Sequence, residues 1–388
     1  MNQDVGSLYG VRCRPWFGTA RTYLLLSVAA LLLSPAGVRA QIGNPSASAG
    51  ISFETYRFSD EENAGLRSIF LTTLPFSAEA DVTSTLRLQV RGALSAGQID
   101  RADGSTASLR GFTDTELQVE ARTGQDRLRI AGIVMVPTGH SRYSMDEAEV
   151  AGIMTADVLP FRMTNWGSGG GLGVRSLLAG TLGTTNVGLS TSFFVGREFE
   201  VFANEDAMFR PGNQFSIGVV ANQDVGRAGR AGVQLQMTQY GDDELAGSNL
   251  YRSGRRFQAL GSYAFAAPRY SSAIVYAGVT HRSNGTFLAL PDLVASQNLF
   301  VAGAVMRMSF DWGVLVPSLE LQALQRSDGT GQGYTTSVGG TAERVVGRMV
   351  VGPSARIRFG QVVVFEEARS GFVGLEVGLT TRFGRAGT

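Results

Sequence analysis

The chain has one cysteine, Cys13, two histidines, His140 and His281, and no lysine among its 388 residues. Cys13 precedes the apolar stretch "TYLLLSVAALLLS". That stretch has a basic flank of Arg12, Arg14 and Arg21, and "PAGVRA" after it sets Val38 and Ala40 three residues and one residue before Gln41. This is the pattern of a secretory signal peptide over residues 1–40, too short to span a bilayer as a helix. Its removal takes away the cysteine. A mature chain over 41–388 then has no disulfide, no thiolate nucleophile and no cysteine metal site. Two histidines, placed far apart in the chain, give no histidine-rich metal centre. Removal of Arg12, Arg14, Arg21 and Arg39 against Asp4 changes the balance from 34 basic and 33 acidic residues to 30 and 32, a net −2. Such a balance excludes the electrostatic footprint of a nucleic-acid binder. A glycine-rich, 44% hydrophobic composition excludes disorder.

Also missing from 41–388 is any long stripe of apolar residues at helical spacing. The period is two. "TSTLRLQVRGAL" sets Leu86, Leu88 and Val90 against Arg87, Gln89 and Arg91, and "TELQVEAR" sets Leu117, Val119 and Ala121 against Glu116, Gln118, Glu120 and Arg122. "GVQLQMTQ" and "LEVGLTTRF" repeat the pattern to Phe383. Alternation of this kind gives strands with one apolar and one polar face. About 16 such strands are predicted, with 12 to 16 compatible with the weaker segments. They lie near 49–57, 66–76, 83–94, 114–122, 127–136, 168–181, 185–196, 213–224, 229–240, 255–266, 272–283, 298–310, 313–325, 343–351, 355–366 and 372–383. Connections alternate between short ones, such as 183–185 and 311–313, and long ones at 97–112, 138–166, 198–212, 241–253, 284–297 and 326–342. Export, absence of cysteine and alternating loop lengths together predict an all-β fold: a single antiparallel transmembrane β-barrel in the outer membrane of a Gram-negative envelope. Both ends are expected in the periplasm, with the long loops outside. Closure follows because hydrocarbon tolerates no unpaired sheet edge. Phe76, Trp166, Phe215, Tyr240, Phe265, Phe310, Trp312 and Phe383 near strand ends suit interfacial girdles.

Arginine on the lipid face near the midplane costs about 2–4 kcal/mol. Arg87, Arg91, Glu116, Glu120, Arg122, Arg129, Glu320, Arg356, Arg358 and Glu376 are therefore expected to line the lumen. Their mixed signs fit either a water-filled path or a lumen closed by ion pairs, and predict neither anion nor cation selectivity. The acidic stretches at 59–63, 145–149, 204–206 and 241–244 have no ion-loop spacing and are read as solvated loop charge. "GSGGGLG" at 167–173 is read as a glycine-rich strand rather than a phosphate-binding loop.

Three stretches resemble a family of outer-membrane barrels: "GFTDTELQVEA" with Gly111 and Asp114, "GIVMVPTG" with Pro137, Thr138 and Gly139, and "WGSGGGLGVRSLLAG". They are similar to the transporters of phenol-degradation pathways and, more distantly, to long-chain fatty-acid transporters, whose Asn-Pro-Ala-Gly plug signature is absent here. The resemblance implies a passive channel for small solutes, apolar or aromatic ones included. It needs no cofactor, and its partners are outer-membrane lipid, lipopolysaccharide and the barrel-assembly machinery. A structural or adhesive barrel is one alternative. The other rests on "HRSNG", residues 281–285, which resembles the His-x-Ser-Asn-Gly motif of outer-membrane phospholipase A and, more loosely, lipid A deacylases. That resemblance implies a lipid-facing hydrolase with His281 as base, Ser283 as nucleophile and Asn298 orienting the imidazole, calcium being a possible cofactor. The competing reading of the same residues is a polar strand end followed by a turn, and it is the favoured one.

Overall fold

The computed structural model describes residues 43–384, apart from 124–126, 156–158, 160, 162, 164–165, 204–206, 227–228, 268–270, 289–292, 329–331 and 364–368. The segment 1–40, expected as a signal peptide, and the acidic stretch 204–206 lie outside the described residues.

Sixteen strand positions close on themselves. They are β1 (Gly43–Phe58), β2 (Leu66–Asp81), β3 (Leu86–Arg101), β4 in two pieces (Thr106–Phe112 and Thr115–Thr123), β5 (Leu128–Val136), β6 (Gly171–Leu182), β7 (Thr185–Gly196) and β8 (Gln214–Val225). They continue as β9 (Gly229–Tyr240), β10 (Arg256–Ala267), β11 (Ser271–Arg282), β12 (Gln297–Phe310), β13 (Gly313–Arg326), β14 (Gly333–Val346), β15 (Met349–Val363) and β16 (Arg369–Phe383). Each pairs antiparallel with its sequence neighbours, and β16 pairs with β1 from Ala47↔Phe383 to Phe58↔Phe372. No barrel edge is left unpaired, as a membrane-spanning sheet requires.

Partners in register share a face, so parity can be followed round the wall. On β1 and β16 the buried set is Ser52, Glu54, Tyr56, Phe372 and Glu376, while Phe53, Val373, Leu375, Val377 and Leu379 are exposed. The exposed apolar belt runs on through Leu117, Val119, Val174, Val219, Val233, Phe300 and Ile357. Phe310 and Trp312 stack 5.5 Å apart at its short-turn edge. Trp166 departs from the girdle expectation. It is 1% exposed and belongs to a buried cluster within the loop that follows β5.

Two of the long connections expected from sequence are instead partly strand. Residues 97–112 form a hairpin in which β3 runs on to Arg101 and the first piece of β4 pairs back against it. Residues 333–346 form β14, and the segment expected as a strand at 343–351 straddles the β14–β15 turn, where Gly347 takes φ 61°. Glycine and threonine dominate "GYTTSVGGTAER", so the apolar signal there is too thin to read.

Three of the long loops build a second, six-stranded sheet of Phe199–Glu200, Met208–Arg210, Asp242–Leu245, Ser248–Arg252, Gly285–Phe287 and Leu293–Val294. Phe199 packs edge-on to Phe209, and Tyr251 packs on Phe287. The loop from Pro137 to Gly170 carries an α-helix, α1 (Met145–Met154), opened by a capping box between Ser144 and Glu147.

Candidate functional site

The loop carrying α1 packs on one wall of the barrel. Val150, Ile153 and Met154 of α1, with Leu159, Phe161, Met163 and Trp166 after it, join a cluster with Tyr56, Ile69, Leu71, Ile99, Leu109, Val362 and Phe372. These wall residues come from β1, β2, β3, β4, β15 and β16. They lie on the face opposite the exposed apolar belt, so the loop lies against the inner face. Burial of each large side chain contributes about 1.5–3 kcal/mol, which is enough to fix the loop in place.

Its two ends are clamped by one residue. Between Arg91↔Glu116 and Leu94↔Phe112, β3 has two residues where β4 has three, which makes a bulge at Thr113–Thr115. The bulge switches parity. Leu109 faces inward before it, and Glu116 and Glu120 face inward after it. It also turns Asp114 toward the loop. One Asp114 carboxylate oxygen accepts from the Gly139 N–H at 3.0 Å, and the other accepts from the Ser168 N–H and Oγ, each at 2.6 Å. Thr138 Oγ1 donates to the Thr113 carbonyl at 2.9 Å. The strands of loop cross so closely that a Cβ on Gly139 would lie 2.3 Å from the Trp166 carbonyl oxygen. The stretches "GFTD", "PTG" and "WGS", far apart in sequence, thus meet at one point. Further up, Arg101 ties α1 to the wall through Asp146 at 2.7 Å and Glu149 at 2.5 Å.

Below the loop, the same wall is closed by ion pairs. Arg358, 2% exposed, donates to Glu54 at 3.3 Å, to Glu376 at 2.6 Å and to the Tyr56 hydroxyl at 2.9 Å. Arg356 stands 3.8 Å from Glu376. Arg91 pairs with Glu116 at 2.6 Å, Arg122 with Glu120 at 2.7 Å, and Arg87 with Asp81 at 2.9 Å. Glu320 accepts from the Tyr276 hydroxyl at 2.7 Å and from Gln322 at 3.0 Å. Nine of the ten residues expected in the lumen are therefore held by hydrogen bonds or ion pairs. The tenth, Arg129, sits beside Arg122 in register, and its Nε is buried without a partner. Glu54, Tyr56, Asp81 and Asp114 join these networks and were not legible as members, because the sequence does not give the register that brings them there.

The His281 group lies elsewhere, on the outward face at the loop end of β11. His281 pairs in register with Asn298, and Nδ1 of its ring is 2.8 Å from Asn298 Oδ1. Phe257 stacks over the imidazole at 6.4 Å. Ser283 is engaged differently: its Oγ accepts from the Arg255 N–H at 2.9 Å, and its own N–H donates to the Arg255 carbonyl at 2.9 Å. Among the described residues no hydrogen bond joins Ser283 to His281. Gly285 then opens a strand of the loop sheet. Among the described residues no group of three or more His, Cys, Asp or Glu is placed to hold a metal ion.

No family model matches the chain, and no curated protein does. Solved structures do. A high-pH structure of OprB from Pseudomonas putida aligns with a TM-score of 0.53 at 9% identity, over 95% of this chain and 97% of that one. An anion-selective porin from Comamonas acidovorans aligns at 0.42 and 12% identity, over 88% and 98%. An outer membrane channel from Pseudomonas putida F1 aligns at 0.34 and 13%, over 87% and 96%. What the chain shares with OprB at 9% identity is the fold. The chain has the closed antiparallel 16-stranded barrel fold of outer-membrane porins, and such a barrel resides in the outer membrane.

Proposed function

We propose that the protein is a passive outer-membrane channel for small solutes, narrowed from within by the loop 137–170. The observation that carries this reading is one-sidedness. The apolar cluster that seats the loop draws on β1–β4, β15 and β16, and among the described residues takes nothing from β5–β12. A 16-stranded barrel is roughly 30 Å across between backbones, from a strand spacing of about 4.8 Å and a tilt near 40°. One short helix with its flanks covers part of that width, and the remainder is a water-filled path bounded by polar side chains, the ion-paired residues Arg87 to Glu376 among them. At the short-turn end a cavity of about 590 Å³ opens among Glu79, Arg307, Glu343 and Arg382. Apolar solutes gain little support, because the loop's apolar side chains are used in packing it to the wall. Small polar or charged solutes fit the lining better.

The test is conductance of the full chain in planar bilayers, together with uptake of small sugars and aromatic acids by liposomes. Discrete channel steps with size-limited uptake are expected. A reconstituted barrel that passes no small solute would instead favour a structural or adhesive role. A second reading, hydrolysis of membrane lipid, has one observation in its favour, the 2.8 Å contact of His281 with Asn298 on the lipid-facing side. It requires Ser283 to reach the other ring nitrogen. Hydrolysis of phospholipid or lipid A esters by the detergent-solubilised protein, with and without calcium, tests it.

A further inference from the structure

The register carries one row of inner-face residues from end to end. Arg87 at the short-turn end of β3 pairs with Glu120, Glu120 with Ala131, and Ala131 with Arg175. Arg175 pairs with Ser192, Ser192 with Ser216, and Ser216 with Thr238. Thr238 pairs with Arg256, Arg256 with Arg282, Arg282 with Gln297, and Gln297 with Arg326 at the loop end of β13. Ten steps of about 4.8 Å, on strands tilted by about 40°, rise roughly 30 Å along the axis, close to the thickness of the hydrocarbon core. The row is a helical ramp across the membrane.

Its chemistry is lopsided. From β5 to β12 the strands hold no acidic residue except Asp224, which is paired with Arg230 at 2.8 Å. Arg175, Arg256 and Arg282 make no ion pair among the described residues. Arg256 and Arg282 stand directly opposite one another, a placement that repels. The Nε atoms of Arg256, Arg282 and Arg326 are buried without a hydrogen-bond partner, and of the three only Arg326 also reaches a carboxylate among the described residues, its Nη2 lying 3.2 Å from Asp328 in the following loop. A buried donor left unpaired is costly, and a carboxylate or phosphate oxygen is what the guanidinium fork matches. From Arg175 to Arg326 the positions between the arginines are Ser192, Ser216, Thr238 and Gln297, neutral side chains in place of carboxylates.

We propose that this ramp is an anion path, with the trio Arg256, Arg282 and Arg326 as its outer binding station for the carboxylate or phosphate group of a small solute. The inference rests on the channel reading above and narrows it to anionic solutes. An arginine trio facing the loop end draws anions in from outside. Arg175 takes over further down, and the ion-paired Arg87 and Glu120 end the ramp at the periplasmic side.

The experiment is reversal potential across a planar bilayer under a tenfold KCl gradient, using the full chain. Chloride is expected to exceed potassium in permeability by about threefold or more, an excess that shrinks at high salt as the charges are screened. The triple variant R256Q/R282Q/R326Q is expected to bring the ratio near one, and the triple lysine variant to keep it above one. In wild type, inorganic phosphate and acetate are each expected to reduce chloride current at millimolar levels. A phosphate effect without an acetate effect narrows the station to phosphate groups, and the reverse narrows it to carboxylates. Conducting channels with no anion preference, or a preference unchanged in the glutamine variant, would overturn the ramp and leave the channel standing. Absence of all conductance would overturn both. Wild-type selectivity decides the matter even if the triple variant does not fold.

Discussion

The two halves of this barrel solve opposite problems with the same residue, arginine. On the wall from β13 through β16 to β4, Arg358, Arg356, Arg91, Arg122 and Arg87 are each within ion-pair distance of a carboxylate, and the loop with α1 is packed above them. On the wall from β5 to β12, Arg175, Arg256 and Arg282 face inward with no carboxylate partner among the described residues. In the first half arginine holds the wall together. In the second these three carry no such pair, although Arg307 at the short-turn end of β12 reaches across to Glu343 at 3.5 Å and Arg230 holds Asp224 at 2.8 Å. The difference is not one of composition along any single strand. It comes from where acids are withheld, since a strand such as "SSAIVYAGVTHR" and one such as "GLEVGLTTRF" alternate equally well.

The two walls are expected to differ most in their tolerance of losing an arginine, and Arg358 is the extreme case. Removing the cation from between Glu54 and Glu376 leaves two carboxylates close together and deeply buried, a loss of about 3–5 kcal/mol. Arg358→Ala is expected to lower the temperature at which the folded barrel unfolds, read from heat-modifiable gel migration in detergent. Arg256→Ala, on the other wall, is expected to change stability by less than about 0.5 kcal/mol, or to raise it slightly, because it relieves the repulsion with Arg282. Equal losses in the two variants would erase the distinction between the walls.

The next largest effect is expected at the loop clamp. Gly139→Val puts a side chain into the Trp166 carbonyl and the Gly167 Cα, which are backbone atoms that cannot step aside. Asp114→Ala removes acceptors for Gly139 and Ser168. Both are expected to leave the barrel folded and to loosen its internal loop, which single-channel recording would register as a larger or noisier conductance. Liposomes should then admit larger sugars. Conductance equal to wild type in both variants would mean that the loop does not limit the path.

A smaller effect concerns the loop sheet above the open wall. Hydrogen bonds from Arg252, at 2.8 Å for Oδ2, hold the Asp242 carboxyl below its ordinary range. Burial pushes its neighbour Asp243 up, although it accepts from the Gly212 N–H at 2.7 Å. The signs are opposite. The lowered Asp242 stabilises above the ordinary carboxylate pKa of about 3.9 and loses this as pH falls through its lowered value. The raised Asp243 contributes most below that ordinary value and loses its contribution as pH rises through its raised value. Hydrogen exchange in residues 242–252, corrected for intrinsic rate, should therefore be slowest near pH 4 and faster on either side. Asp243→Asn is expected to flatten the upper limb. A profile that only improves toward neutral pH would contradict the burial of Asp243.

Much of the fold was legible because period-two alternation is local. Leu117 and Glu116 announce their faces without help from any other strand, and sixteen such segments with alternating connections define a barrel. What stayed hidden depends on register. The bulge at Thr113–Thr115 shifts parity inside a stretch that reads as one pattern, and Asp114 gains its role only because Gly139 and Ser168 arrive beside it. Arg256, Arg282 and Arg326 each sit at a strand end, where a charged residue is ordinary. Only the pairings show them to be neighbours. Trp166 misled for the same reason: an aromatic beside a strand looks interfacial until a loop is seen folding inward.

The smallest expected effect tests whether the outward face at β11 does chemistry. Ser283 Oγ accepts from the Arg255 backbone, and Gly254 lies so close that a Cβ on it would fall 1.8 Å from the Ser283 carbonyl oxygen. This is how a chain leaving the barrel is tied to its neighbour on entering the loop sheet. Loss of such a bond costs about 1 kcal/mol. Ser283→Ala should therefore loosen protection around Arg255 slightly and leave conductance intact. His281→Ala should remove the contact to Asn298 and expose the Phe257 ring further to lipid, again with little effect on the barrel. For a hydrolase the two variants would behave alike in another way. Ester cleavage by the wild-type protein would vanish in both, since nucleophile and base act as a unit. Parallel measurement of lipid ester hydrolysis and hydrogen exchange in the two variants separates these outcomes. Hydrolysis lost in both would give the outward face a catalytic role, and exchange altered locally without hydrolysis would leave Ser283 as the tie between strand and loop.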